Sequence, residues 1–226
     1  MKIPIIFENE DVLIIDKPAG ILVHPVPASA EASAGKKDEK NTLIDILKQK
    51  YPNAQLVHRL DQDTSGLMVI AKNEKISEWL KEQFEKRTIK KKYLALVVGR
   101  IKDTKGIITK TISKSRKRGG SQTTAPIRKR REAITRYEVL KELENYTLLE
   151  VSPETGRTHQ IRIHLASIGH PVAGDEKYKF KRQKKLEGLN RQFLHSRYLQ
   201  IPMPDGSIKE FQSELPEELN KILKII

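Results

Sequence analysis

Residues 58–72 read HRLDQDTSGLMVIAK, a charged turn that runs straight into an apolar strand. The run LMVIAK, 67–72, is short, rich in β-formers and bounded by turn residues, which predicts a buried strand leaving the turn. Within the turn, Asp63 or Thr64 can bond nearby backbone amides while Gly66 takes a positive φ. That leaves Asp61, directly before the turn, because a carboxylate beside an apolar strand is costly unless it is paired. The strand sets the fold, and Asp61 sets the question of function.

Working outward from this strand, DVLIID (11–16) predicts another, KPAG (17–20) a turn, and ILVHP (21–25) a returning strand. Asn41 is placed to cap a short helix with Leu43, Ile46 and Leu47 on its stripe. Asn73 caps a second helix whose Ile76, Trp79, Leu80 and Phe84 share one face. KKYLALVVG (91–99) is a strand, and ITRYEVLKEL (134–143) with YTLLEVSP (146–153) alternate as a hairpin around Glu144-Asn145. A late strand covers Ile208 to Gln212, and PEELNKILKII closes with a helix carrying Pro216 at its first turn. Strands in adjacent pairs with few helices between them predict an α+β fold around a mixed, mostly antiparallel central sheet. No repeat or composition break marks a second domain, so residues 1–226 are expected to form one domain with its own core.

The charge balance narrows the partner. Lys and Arg number 43 against 29 Asp and Glu, a net +14. Such an excess favours a polyanion, and nucleic acid is expected, with no membrane and no obligate protein partner. The basic runs read as loops, not as the basic face of an amphipathic helix that a membrane surface would need. The apolar stretches are short, so neither signal peptide nor membrane span is expected, and the absence of cysteine fits a reducing cytoplasm. Residues 27–41 are almost free of apolar side chains and predict a flexible loop. Lys110 to Arg131 contains no acid, and Gly119-Gly120 sits in its middle; segment 102–131 is therefore expected to be a basic finger whose Arg116, Lys117 and Arg118 contact phosphates. Lys181 and Arg182, in a second basic run from Lys177 to Lys185, are expected to do the same.

A partner for Asp61 is available in TGRTHQIRIHLASIGHP (155–171). Thr158 is expected to cap a helix with Ile161, Leu165 and Ile168 on its stripe and Gly169 and Pro171 as stop signals. Arg157 lies at its mouth and Arg162 one turn in, off the stripe, where an arginine could supply the counter-charge. His159 and His164 have no acid or cysteine at ligand spacing and are expected to cap or hydrogen-bond.

HRLDQDTSGL followed by an apolar strand resembles the signature of the RluA-type RNA pseudouridine synthases. DKPAGILVHP (16–25) resembles the opening strand-turn-strand of that family, and KKYLALVVG the strand bearing its active-site tyrosine. GRTHQIRIHLASIGHPVAGDEKY (156–178) resembles its second hallmark, and FLHSRYLQIPMP (193–204) its late Leu-His strand. The motifs occur in order over nearly the whole chain. The resemblance implies a mixed sheet with a catalytic cleft and isomerisation of specific uridines to pseudouridine in ribosomal or transfer RNA, without cofactor or metal. It implies Asp61 as the catalytic aspartate, Tyr93 as the tyrosine packing on the target base, and Arg162 as the arginine paired with the aspartate. It also implies Arg59 beside the flipped nucleotide and Leu194 as an apolar wall, and Arg157 is expected to bind substrate. The chain opens directly on the catalytic domain, so the accessory S4 domain of some relatives is not expected. Segments 27–41 and 102–131 depart from the family pattern and are read as insertions.

Two other readings stand beside this one. Asp61 and Asp63 form an Asp-x-Asp-x-Thr arrangement, as in haloacid-dehalogenase phosphotransferases, but the further acids that Mg²⁺ would require are replaced after Asp175-Glu176 by lysines. An RNA-binding module without catalysis would leave the acid and its presumed partners unused.

Overall fold

A computed structural model of the protein describes residues 3–25, 42–114, 122–123 and 132–226. Its centre is a ten-stranded sheet, and the order along its main path is β1, β2, β4, β11, β5, β10, β9, β6. These strands are β1 Ile5–Glu8, β2 Val12–Lys17, β4 Ser65–Ala71, β5 Lys90–Val98, β6 Lys105–Thr109, β9 Ile134–Glu142, β10 Tyr146–Pro153 and β11 Leu194–Pro202. Off this path, β3 (Gln55–Leu56) pairs with β4 and β12 (Ile208–Gln212) pairs with β11. Among the described residues the pairings are antiparallel except one: β11 runs parallel to β4, with His195 opposite Ser65 and Ser196 opposite Gly66. The sheet is thus mixed and mostly antiparallel, as the strand pattern predicts.

Both faces of β2 and β4 are covered, which explains why these two strands read as unbroken apolar runs instead of alternating ones. Leu13, Ile15, Met68 and Ile70 join one core with Leu43 and Leu47 of helix α1 (Leu43–Lys48) and Ile161 and Leu165 of helix α3 (Gln160–Ser167). Val12, Ile14, Leu67 and Val69 point the other way, against Ile76 and Leu80 of helix α2 (Glu74–Glu85). Trp79 and Phe84 complete that stripe as core. Asn73 caps α2 as expected, its side chain accepting from the Ile76 amide at 2.9 Å. Helix α4 (Glu217–Ile225) begins after Pro216 and buries Leu219 and Ile222.

Three local expectations are corrected. Residues 21–25 do not form a strand. Both edges of β2 are already paired, with β1 and with β4, so no ladder is left for a returning strand. The first cap is Thr42, whose amide and hydroxyl both donate to Asp45 Oδ2, at 2.9 and 2.6 Å; Asn41 lies outside the described residues. Helix α3 is capped not by Thr158 but by His159, in the left-handed region at φ 55°. The Gln160 side chain fixes this start by accepting from the Arg157 amide at 3.0 Å and the Thr155 hydroxyl at 2.7 Å.

Of the two proposed insertions, 27–41 lies outside the described residues. In the other, β7 (Ser113–Lys114) pairs antiparallel with β8 (Gln122–Thr123). Arg116, Lys117 and Arg118 are outside the described residues. Among the described residues no helix is long and apolar enough to cross a membrane.

Candidate active site

The turn after Leu60 closes locally, with the Thr64 amide donating to the Asp61 carbonyl at 3.1 Å. It is then gripped from two sides. From β2, the buried Lys17 Nζ donates to the Gln62 carbonyl at 2.8 Å and to the Pro18 and Ile21 carbonyls at 2.8 and 3.1 Å. The Gly20 amide adds a bond to the same Gln62 carbonyl at 2.9 Å. From the segment before β11, Arg191 Nη1 donates to the Asp63 carbonyl at 2.9 Å and Nη2 to the Ser65 hydroxyl at 3.0 Å. Gln192 Nε2 donates to Thr64 Oγ1 at 3.0 Å.

Where the turn enters β4, Gly66 has φ 113°, and a Cβ there would lie 2.3 Å from the Ser196 carbonyl oxygen. Only glycine permits the close parallel pairing that brings β11 against the turn. His58, just ahead of the turn, is structural: Nε2 accepts from the Val69 amide at 3.0 Å, and its ring packs on Phe84 with centroids 4.8 Å apart. Burial pushes its pKa down to about 3, with Lys91 acting in the same direction, which keeps the ring a neutral acceptor.

Held this way, Asp61 meets the arginine expected for it. Arg162 Nη1 donates to Asp61 Oδ2 at 2.8 Å. The rest of the guanidinium is committed elsewhere: Nε and Nη2 donate to Asp175 Oδ2 and Oδ1 at 2.7 and 2.9 Å. Asp175 is 1 % exposed, and its Oδ1 also accepts from the Lys177 and Tyr178 amides at 2.8 and 3.0 Å. Burial alone would raise the Asp175 pKa, but Arg162 and these amides outweigh it and hold the carboxyl below its ordinary value. Burial likewise opposes the charge on Arg162, yet Asp175 and Asp61 together hold it above its ordinary value. The Tyr178 ring covers the guanidinium at 5.2 Å.

Asp61 Oδ1 has His159 Nε2 at 3.9 Å, too far for a hydrogen bond. Burial pushes His159 down to about 4 against the pull of Asp61, so the ring is neutral at pH 7 and leaves the charge on Asp61 uncancelled from that side. His159 Nδ1 lies 2.7 Å from the Tyr178 hydroxyl.

Tyr93 sits in β5 between Val151 of β10 and Ser196 of β11 and is 7 % exposed. Burial pushes its phenol up to about 12; the charge of Asp61 adds to this and a hydrogen bond with Ser196 opposes it. At neutral pH the group is an uncharged phenol.

Asp61, Tyr93, Arg162, Arg59, Arg157 and Leu194 all line one pocket. Six residues expected at the site from widely separated segments are thereby brought together. Lys181 and Arg182 are not among them: Arg182 borders a separate depression with Tyr146 and Ile226, and Lys181 is exposed. Asp63 is exposed, and no group of three or more His, Asp or Glu converges as a metal site among the described residues.

The sequence did not single out Lys17, Gln160, Asp175, Arg191 or Gln192 for the roles they play here. Asp175 was visible as an acid, but its partner lies on α3 and no spacing rule links the two. Lys17 offered no signal: it reads as the first residue of the KPAG turn.

A family profile described as RNA pseudouridylate synthase matches residues 11–167. An RNA pseudouridine synthase of Bacillus subtilis is 37% identical over 227 residues, covering 99% of this chain and 73% of that protein. A ribosomal large subunit pseudouridine synthase D of Nitrosomonas europaea is 38% identical over 246 residues, covering 100% of this chain and 66% of that one. The solved structure of human RNA pseudouridylate synthase domain containing 1 superposes with a TM-score of 0.76 at 25% identity, over 95% of this chain and 84% of that chain.

Proposed function

The chain belongs to the RNA pseudouridylate synthase family, whose members are isomerases, and we propose that it converts uridine in large-subunit ribosomal RNA to pseudouridine with Asp61 as the reacting carboxylate. The observation that carries the reading is the Asp61–Arg162–Asp175 chain of hydrogen bonds, set in one pocket with Tyr93 and Leu194. The ribosomal substrate rests on the name of the Nitrosomonas europaea relative. The cytoplasm is the compartment that such a substrate implies.

The reaction breaks the N1–C1′ bond of the nucleotide, turns the uracil, and joins C5 to C1′; C5 gives up a proton and N1 ends with one, so nothing is consumed. The uridine must first leave its stack, at a cost of a few kcal/mol. The Tyr93 ring and Leu194 offer the apolar walls between which the flipped base is held, and Arg59 and Arg157, both exposed at the rim, meet its flanking phosphates. With Oδ2 occupied by Arg162, Oδ1 is the oxygen of Asp61 that acts on the nucleotide. Tyr93 takes part as a neutral phenol.

The experiment is direct. Purified protein is incubated with a large-subunit ribosomal RNA transcript, and pseudouridines are mapped chemically. The wild type is expected to modify defined uridines, and Asp61→Asn to bind the RNA and modify none. Product from the variant at a rate near wild type would overturn the role of Asp61, and modification of transfer RNA alone would overturn the substrate.

A further inference from the structure

The end of helix α2 carries an arginine where the backbone asks for glycine. The Lys86 amide donates to the Glu82 carbonyl at 2.8 Å and the Thr88 amide to the Gln83 carbonyl at 3.1 Å, and between them Arg87 has φ 59°. This is the helix-ending turn whose left-handed position is normally glycine. Apart from the capping residue His159, no other non-glycine residue among those described has a positive φ. The Arg87 side chain is exposed, and no carboxylate lies within ion-pair distance of it among the described residues. The side chain therefore forms no ion pair inside the protein, and backbone strain of this kind concentrates where function requires it.

The surroundings show what the side chain faces. Arg87 borders a groove that also takes in Phe84, Arg59, Lys91 and Arg157. Arg59, Lys91 and Arg157 border the Asp61 pocket as well, so the groove opens into it. Lys91 is half-buried, with Nζ 5.3 Å from the centre of the Phe84 ring, and it too has no ion-pair partner among the described residues. Burial lowers its pKa to about 8, the mark of a cation short of counter-charge. Two acids, Glu85 and Glu154, border the groove, and Glu154 is bound to Arg136. The four cations outnumber the one acid left unpaired.

We propose that this groove carries the ribose–phosphate strand flanking the flipped uridine, with Arg87 and Lys91 as phosphate contacts. Phosphate contacts fix the register of the RNA on the protein without reading its sequence, which is what an enzyme acting on one base at the end of a groove requires. The proposal rests on the RNA-modifying reading of the Asp61 pocket. It adds the direction in which the strand leaves.

The test is Arg87→Gly, which removes the cation and relieves the strained φ together. Binding to a fluorescent RNA stem-loop with uridines in its loop is titrated at several salt concentrations, and thermal unfolding is recorded beside it. RNA affinity at low salt is expected to fall about five-fold or more, and the slope of log K against log salt to flatten by roughly 0.7–0.9, one phosphate contact. The melting temperature is expected to stay level or rise, and Arg87→Lys to restore the slope. A fall in melting temperature would make Arg87 a stabilising residue and overturn the proposal, as would an unchanged slope. Loss of binding to polyglutamate with RNA binding unchanged would assign the groove to an acidic protein and overturn it as well. The titration needs no turnover: a wild-type protein that shows the expected slope change against Arg87→Gly yet forms no pseudouridine supports the groove and refutes the enzymatic reading.

Discussion

Asp175 holds Arg162 by two hydrogen bonds, Nε to Oδ2 at 2.7 Å and Nη2 to Oδ1 at 2.9 Å, and so aims the remaining Nη1 at Asp61. A guanidinium is rigid and planar, so fixing two of its nitrogens fixes the third. Asp61 is placed by a residue that never touches it.

Asp175→Ala would strip Arg162 of its buried partner. Removing one member of a buried pair costs about 3–5 kcal/mol, because the remaining charge is left without compensation. Urea unfolding should show a loss of that order. Pseudouridine formation should fall further than the folded fraction, since Arg162 loses its aim. A variant of wild-type stability would show that Tyr178 and the backbone suffice to hold the guanidinium.

Tyr93→Phe and Tyr93→Ala separate the ring from the hydroxyl. Base–aromatic stacking is worth about 1–3 kcal/mol, so the alanine variant should lose that much RNA affinity and the phenylalanine variant little. Equal losses in an RNA titration would mean that the ring is not a stacking surface.

Gly66→Ala would set a methyl 2.3 Å from the Ser196 carbonyl, at a residue with φ 113°. Backbone must move on one side of the pairing, and a loss of about 2–4 kcal/mol is expected. Thermal unfolding measures it; a shift within a degree or two of wild type would show that β4 and β11 can part without cost.

Lys17 gives a pH signature. Burial pulls its pKa from 10.5 down to about 8, helped by Arg191 and opposed by Asp63 and Asp61. The unfolded chain therefore holds more protons between pH 8 and about 10.5, and stability from this group rises with pH across that window, its penalty being fully present below pH 8. Lys17→Met removes the effect, so the wild type should gain up to about 3 kcal/mol relative to the variant between the two ends of the window. Lys91, shifted in the same direction, is present in both proteins and cancels in the comparison. Parallel stability curves from pH 7 to 10.5 would mean that Lys17 keeps its proton in the folded state as readily as in the unfolded chain, so that burial does not lower its pKa. Below pH 8 the variant should also show a looser turn at Gln62, read as faster amide exchange there.

The sequence by itself determined the strands and the helices whose patterns are local. The apolar runs of β2, β4 and β5, the β9–β10 hairpin and the stripe of α2 with its Asn73 cap were legible because periodicity, capping and turn chemistry act over a few residues. The need of Asp61 for a counter-charge was legible too, since burying an unpaired carboxylate is costly wherever it occurs. Only the tertiary structure decided the rest. Residues 21–25 look like a strand, and they are none because both edges of β2 were already occupied by partners. Arg162 was in view, but Asp175 became its anchor only when α3 and the segment after Val172 packed side by side. The grip of Lys17 and Arg191 on the turn, and the glycine that Ser196 imposes at position 66, depend on which distant backbone lies next to which. A hydrogen bond or a close approach between remote segments leaves no period in either, so it exists only once the chain has folded.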